Sequence, residues 1–192
     1  IPENIVDGGK KRSSRLAPYR IETLVTLRKG ARWVEFETKI NNNVPNHYLQ
    51  AAFPTDVDAE FVYAQGQFDV VKRPIAKPDY SKYDEIPMTE QPMNSFVDIC
   101  NENEGAAILN TGLKAYESDD DYNHTVYLSL LRCFELRIYV TPEEQNYSRI
   151  ENGSQSFGEH TFRYAFMPHK GDWEDAQVWK AAEDFNMEIL IG

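Results

Sequence analysis

Arg132, Gln155 and His160 are the residues whose type and place in the sequence point to ligand chemistry. Arg132 ends the apolar run 126–131. A long cation there either snorkels to water or points into a polar site, because burying it unpaired is costly. Gln155 and His160 lie in a segment punctuated by Gly153 and Gly158, where glycine permits tight backbone turns beside polar side chains. The plainer reading of that segment is a structural turn entering the strand that carries Phe162, Tyr164 and Phe166.

Other constellations are weaker. Hydrolysis by paired carboxylates needs two acids about 5–5.5 Å apart, or further apart where a water attacks directly. The chain has 31 Asp and Glu, but runs such as Asp119-Asp120-Asp121 and Glu143-Glu144 read as solvated turns, and nothing selects a pair. His47, His124, His160 and His169 lack the short spacing that places two metal ligands on one face, and no Cys pair completes a zinc site. No catalytic site and no metal site is therefore expected within this chain. Gly-x-Ser-x-Gly and Gly-x-Gly-x-x-Gly are absent. Trp33, Trp173, Trp179 and the 11 tyrosines can stack on sugar rings, yet Trp173 and Trp179 fit a core stripe. Cys100 and Cys133, in apolar strand-like surroundings, read as buried free thiols.

The elements that must position these residues are mostly strands. Residues 19–40 predict a hairpin. Ile21, Thr23, Val25 and Leu27 alternate with polar neighbours on one arm, Lys29-Gly30-Ala31 turns the chain, and Val34, Phe36, Thr38 and Ile40 alternate on the other. Period two gives each arm one buried face, and Asn41-Asn42-Asn43 ends the second. Further strands are expected at 48–53, 61–64, 67–72, 96–100, 106–110, 113–117, 124–132, 135–140, 160–167 and 188–191. Short strands between turn signals argue for a sandwich. Residues 73–93, with four prolines, form a long connection that either covers a sheet edge or faces a ligand. One helix is expected at 172–186, capped by Asp172, with Trp173, Ala176, Trp179, Ala182 and Phe185 on its buried stripe.

Composition sets the outer limits. A chain of 192 residues with 41% hydrophobic and 12% aromatic content supports a packed core. A net charge of −11 disfavours nucleic acid as partner, since phosphate binding needs clustered cations. Lys10-Lys11-Arg12 reads as part of a solvated lead-in. No apolar run approaches the roughly 20 residues that span a bilayer, so no membrane partner is expected. The chain opens at Ile1-Pro2 without Met and closes within a strand-like run, which reads as an excised piece. The sequons at Asn123, Asn146 and Asn152 mean little without a secretory context.

Four short segments share a further likeness: Tyr48-Leu49-Gln50-Ala51-Ala52-Phe53-Pro54-Thr55, Gln67-Phe68-Asp69-Val70-Val71-Lys72-Arg73-Pro74, Leu128-Ser129-Leu130-Leu131-Arg132, and 153–162 with Gln155, Gly158 and His160. In this order they resemble the C-terminal β-sandwich region of retaining α-mannosidases of glycoside hydrolase family 38. The resemblance implies an all-β fold, a β-sandwich of the supersandwich type, with one short helix near the C-terminus. Residues 1–18 are then a lead-in and 19–192 the domain, part of a larger enzyme. It also implies that zinc and the catalytic aspartates belong to an N-terminal catalytic domain not in this chain. That domain and α-mannoside glycans are the expected partners. Arg132, with Gln155 and His160, is expected near substrate, and the isolated chain is expected to be inactive. The alternative is an autonomous carbohydrate-binding β-sandwich without catalysis.

Overall fold

The structure is a computed structural model that describes residues 1–7, 10–77, 79–82, 88–134 and 152–187. In chain order the strands are β1 (Ile5–Val6), β2 (Lys11–Arg12), β3 (Ile21–Thr26), β4 (Val34–Asn42), β5 (Tyr48–Phe53), β6 (Phe61–Gln65), β7 (Val70–Pro74), β8 (Gln91–Pro92), β9 (Phe96–Cys100), β10 (Glu104–Asn110), β11 (Ala115–Ser118), β12 (Val126–Arg132) and β13 (Gly158–Lys170). The helices are α1 (Asn152–Gln155) and α2 (Val178–Asn186). One sheet runs β3-β4-β13-β10-β9-β6-β7, a second runs β5-β12-β11-β8, and β1 pairs with β2. The pairs β6–β7, β6–β9, β9–β10, β10–β13, β11–β12 and β8–β11 are antiparallel. The expected all-β sandwich is the fold observed.

The chain forms two compact units. In the larger, of Leu24–Glu37, Gln50–Ser129 and Phe162–Gly192, β9 is buried from end to end and β10 after its first residue. Both faces of these central strands are covered. On one face Ala107, Leu109, Ala165 and Met167 pack with Val178, Ala181, Ala182 and Phe185 of α2. On the other, Phe53 of the smaller sheet stacks on Phe166 at 5.7 Å and meets Phe36 and Tyr164 edge-on. The large side chains that are fully buried here, such as Leu109, Met167 and Val178, each stabilise the fold by about 1.5–3 kcal/mol.

The smaller unit comprises Ile1–Thr23, Thr38–Leu49 and Leu130–Thr161. Its N-terminal segment is tied down by the β1–β2 pair, by a Pro2–Leu16 bridge and by Arg12 donating to the carbonyl of Asn46.

Several boundaries differ from expectation, each for a physical reason. The arm β3 is exposed along nearly its whole length rather than on one face, because it is the edge strand of its sheet. The strand β4 runs two residues past Ile40 and ends at Asn42: Thr38, Ile40 and Asn42 form one buried set by alternation. The strand expected from residue 67 starts at Val70, since Gly66 and Asp69 close a tight turn with Gln67 and Phe68 at its tip. The helix starts at Val178, not 172. The Asp172 carboxylate accepts from the Glu174 and Asp175 N–H groups and so caps a preceding turn, and left-handed Gln177, φ 51°, breaks the phase between that turn and α2. The buried stripe is therefore Val178, Ala181, Ala182 and Phe185, and Trp179 is outside it. Residues 152–155, read as a turn, form the short helix α1. The 73–93 connection ends in β8, which pairs with β11 at the edge of the smaller sheet. The strands expected at 135–140 and 188–191 lie outside the described residues.

Candidate functional site

The three residues singled out from sequence all belong to the smaller unit, and one buried side chain connects their segments. Asn42 is 1% exposed. Its Nδ2 donates to the Gln155 carbonyl at 2.8 Å and the Ser156 carbonyl at 2.9 Å, and lies 3.2 Å from Cys133 Sγ. The Ser156 carbonyl also accepts from His160 Nε2 at 2.8 Å. Cys133 follows Arg132 directly. The end of β12, the α1 turn and the start of β13 are thus held at a single amide. Sequence reasoning placed Asn42 in a turn. The clue to its role was its even position in the inward set of β4.

Gln155 is fully buried. Its Oε1 accepts from the Asn46 N–H at 2.8 Å, and its Nε2 donates to Asn46 Oδ1 at 3.0 Å. This reciprocal amide pair occupies both ends of the side chain, so Gln155 acts on a ligand only by holding the α1 turn. The turn is tight: Ser156 and Gly158 have φ of 50° and 110°. A Cβ at Gly158 meets nothing within 4 Å, so conformation and not space is why glycine suits that position.

His160 is half-buried and lines an open cleft of about 480 Å³. Arg20, Glu22, Lys39, Asn41, Asn43 and Glu159 line it with His160, bringing two cations, two carboxylates and two amides around one concavity. Arg20 pairs with Glu22 at 2.6 Å. Arg132 is exposed at the end of β12 above buried Leu130 and Leu131, and is not among the residues lining this cleft.

Behind the site, Tyr19 Oη and His47 Nε2 are 3.1 Å apart. Burial pushes the Tyr19 phenol up to about 12, with the Cys133 charge adding to it, and burial likewise lowers His47 below the usual imidazole range. Burial raises the Cys133 thiol, so it stays protonated and unreactive at neutral pH. Cys100 and Cys133 are both free thiols. Among the described residues no group of three or more His, Cys, Asp and Glu could hold a metal ion, and no helix is long and apolar enough to cross a membrane.

Residues 8–135 match the glycosyl hydrolases family 38 C-terminal domain, and the chain belongs to that family. It is 29% identical over 184 residues to a Halalkalibacterium halodurans protein named "Putative mannosylglycerate hydrolase", covering 94% of this chain and 19% of that protein. It is 28% identical over 171 residues to human alpha-mannosidase 2C1, covering 89% of this chain and 14% of that protein. The crystal structure of an alpha-mannosidase from Enterococcus faecalis superposes with a TM-score of 0.76 at 30% identity, over 90% of this chain and 18% of that one. The chain therefore spans less than a fifth of the length of these relatives.

Proposed function

We propose that residues 19–192 are the C-terminal β-sandwich domain of a retaining exo-α-mannosidase that hydrolyses terminal α-mannosides. In this reading the domain completes the active-site groove against a zinc-bearing catalytic domain of the same protein. The observation that carries it is the convergence on Asn42. One buried amide holds the segment bearing Arg132 and the turn leading to His160, which is how a rigid scaffold presents polar groups to a ligand. Gln155 serves that presentation from behind. Zinc would be held by the catalytic portion and would supply Lewis-acid chemistry there, while Arg132 donates hydrogen bonds to sugar hydroxyls and His160, oriented by the Ser156 carbonyl, contacts the sugar from the cleft.

The experiment is made on the full-length protein with an aryl α-mannoside. Arg132→Ala should lower kcat/KM by an amount worth about 1.5–3 kcal/mol, typical of a lost charged hydrogen bond, and His160→Ala by about 0.5–1.5 kcal/mol, typical of an ordinary one, each with little change in melting temperature. NMR of the first-formed product should show the α anomer. Unchanged activity per folded molecule alongside a collapsed melting temperature would make both residues structural.

A second reading, an autonomous carbohydrate-binding module, draws on Phe68 and Tyr122, which are 99% and 96% exposed. They stand on separate turns, beside β7 and before β12. Calorimetry with mannose oligosaccharides on the isolated chain distinguishes the readings. Saturable heat abolished by Phe68→Ala favours the module.

A further inference from the structure

Resting on the reading that this chain is one domain of a longer protein, we propose that the edge strand β3 is a docking seam. Its occupant is an extended, apolar segment from the remainder of the same polypeptide. Among the described strands β3 ends the larger sheet, with β4 as its neighbour there. Leu24 and Thr26 line, with Arg28, Glu35 and Glu37, a cleft of about 280 Å³ on one face. By alternation Val25 and Leu27 lie on the opposite face. That is the face on which Phe36 of β4 stacks on Tyr164 at 5.4 Å and meets Phe53.

The period-two pattern marks Val25 and Leu27 as residues for burial, yet they are 56% and 70% exposed, and Leu24 on the other face is 65% exposed. Single apolar residues scattered over a surface need no explanation. Three within the four consecutive positions 24–27, which close the edge strand and lead out of it, do. Natural edges are blunted by charge, proline or a bulge; β3 has one charge, Glu22 near its start, whereas residues 23–27, Thr-Leu-Val-Thr-Leu, carry no charge and no proline. The strand therefore offers a row of backbone groups flanked by apolar side chains, the template that an added strand recognises. Length identifies the occupant. The region matched here is 19% of one relative and 14% of another, so most of such a polypeptide lies outside it and is available to cover this edge.

Hydrogen–deuterium exchange on the full-length protein reads the seam directly. The peptide 20–28 should exchange slowly, as the central peptide 96–110 does, and Val25→Lys with Leu27→Lys should return 20–28 to fast exchange while 96–110 stays protected. Fast exchange of 20–28 in the unaltered full-length protein overturns the proposal. So does a 192-residue chain that sediments as a dimer with 20–28 protected, since the occupant is then a second copy. The readout is independent of turnover. A full-length protein inactive on α-mannosides that still protects 20–28 retracts the proposed activity and leaves the seam in place.

Discussion

Asn42 shows how one side chain can decide the order of a site without touching a ligand. Its amide satisfies the carbonyls of Gln155 and Ser156 at the left-handed turn before β13. Replacing it by alanine removes the Nδ2 donor from the buried Gln155 carbonyl, a loss worth about 1–3 kcal/mol, while the Ser156 carbonyl keeps the His160 Nε2 donor. Asn42→Ala should therefore lower the urea midpoint and, in the full-length protein, also lower kcat/KM, because His160 loses the fixed carbonyl that orients its ring. A variant that loses stability while keeping full activity per folded molecule would separate Asn42 from the site. Gly105 makes a parallel point about close approach: a Cβ there lies 2.3 Å from His169 Cε1 and 2.6 Å from Cys100 Cβ, so only glycine fits without movement.

At the scale of elements, β9, β10 and β13 are joined by a buried pair as well as by their ladders. His169 Nε2 and Asp98 Oδ2 are 2.7 Å apart, both side chains almost fully enclosed. Burial alone lowers the imidazole, but the hydrogen bond and charge of Asp98 outweigh it, so His169 is raised above its usual 6.5. A group raised on folding contributes stability that is complete below the unfolded value and is lost as pH climbs through the folded one. The stability difference between the wild type and His169→Gln should thus be largest at or below about pH 6 and shrink towards alkaline pH. Denaturant titrations over that range check it. A difference that grows with pH would contradict the assignment. The helix α2 depends on packing more than on its own propensity, since its nine residues begin at a left-handed Gln177 with no side-chain cap.

For the molecule as a whole, the chain matches less than a fifth of the length of catalytically named relatives. The purified 192-residue chain should therefore show circular dichroism dominated by strand and should not turn over an aryl α-mannoside, with or without added zinc. Turnover that survives repurification and falls on substitution of a carboxylate in this chain would overturn that expectation. On the proposed reading, chelation of the full-length protein should abolish turnover of an α-mannoside while leaving exchange of the peptide 96–110 unchanged.

By itself the sequence determined the fold class. Period-two alternation, turn residues between short runs and the ordered segments at 48–55, 67–74, 128–132 and 153–162 lead to an antiparallel sandwich of this family. It also located Gln155 and His160 in one segment punctuated by Gly153 and Gly158, since backbone punctuation is a local property. Three matters were left to the tertiary structure. Whether β3 has a covered face depends on its place at the sheet edge, which alternation within the strand does not encode. Where α2 begins depends on the left-handed Gln177, a residue type with no marked preference for that conformation. That Asn42 meets Gln155, Ser156 and Cys133 depends on bringing together residues about a hundred positions apart. Such long-range contacts arise only when strands pair across the fold, so the buried amide that organises the site looked in the sequence like one more asparagine in a turn.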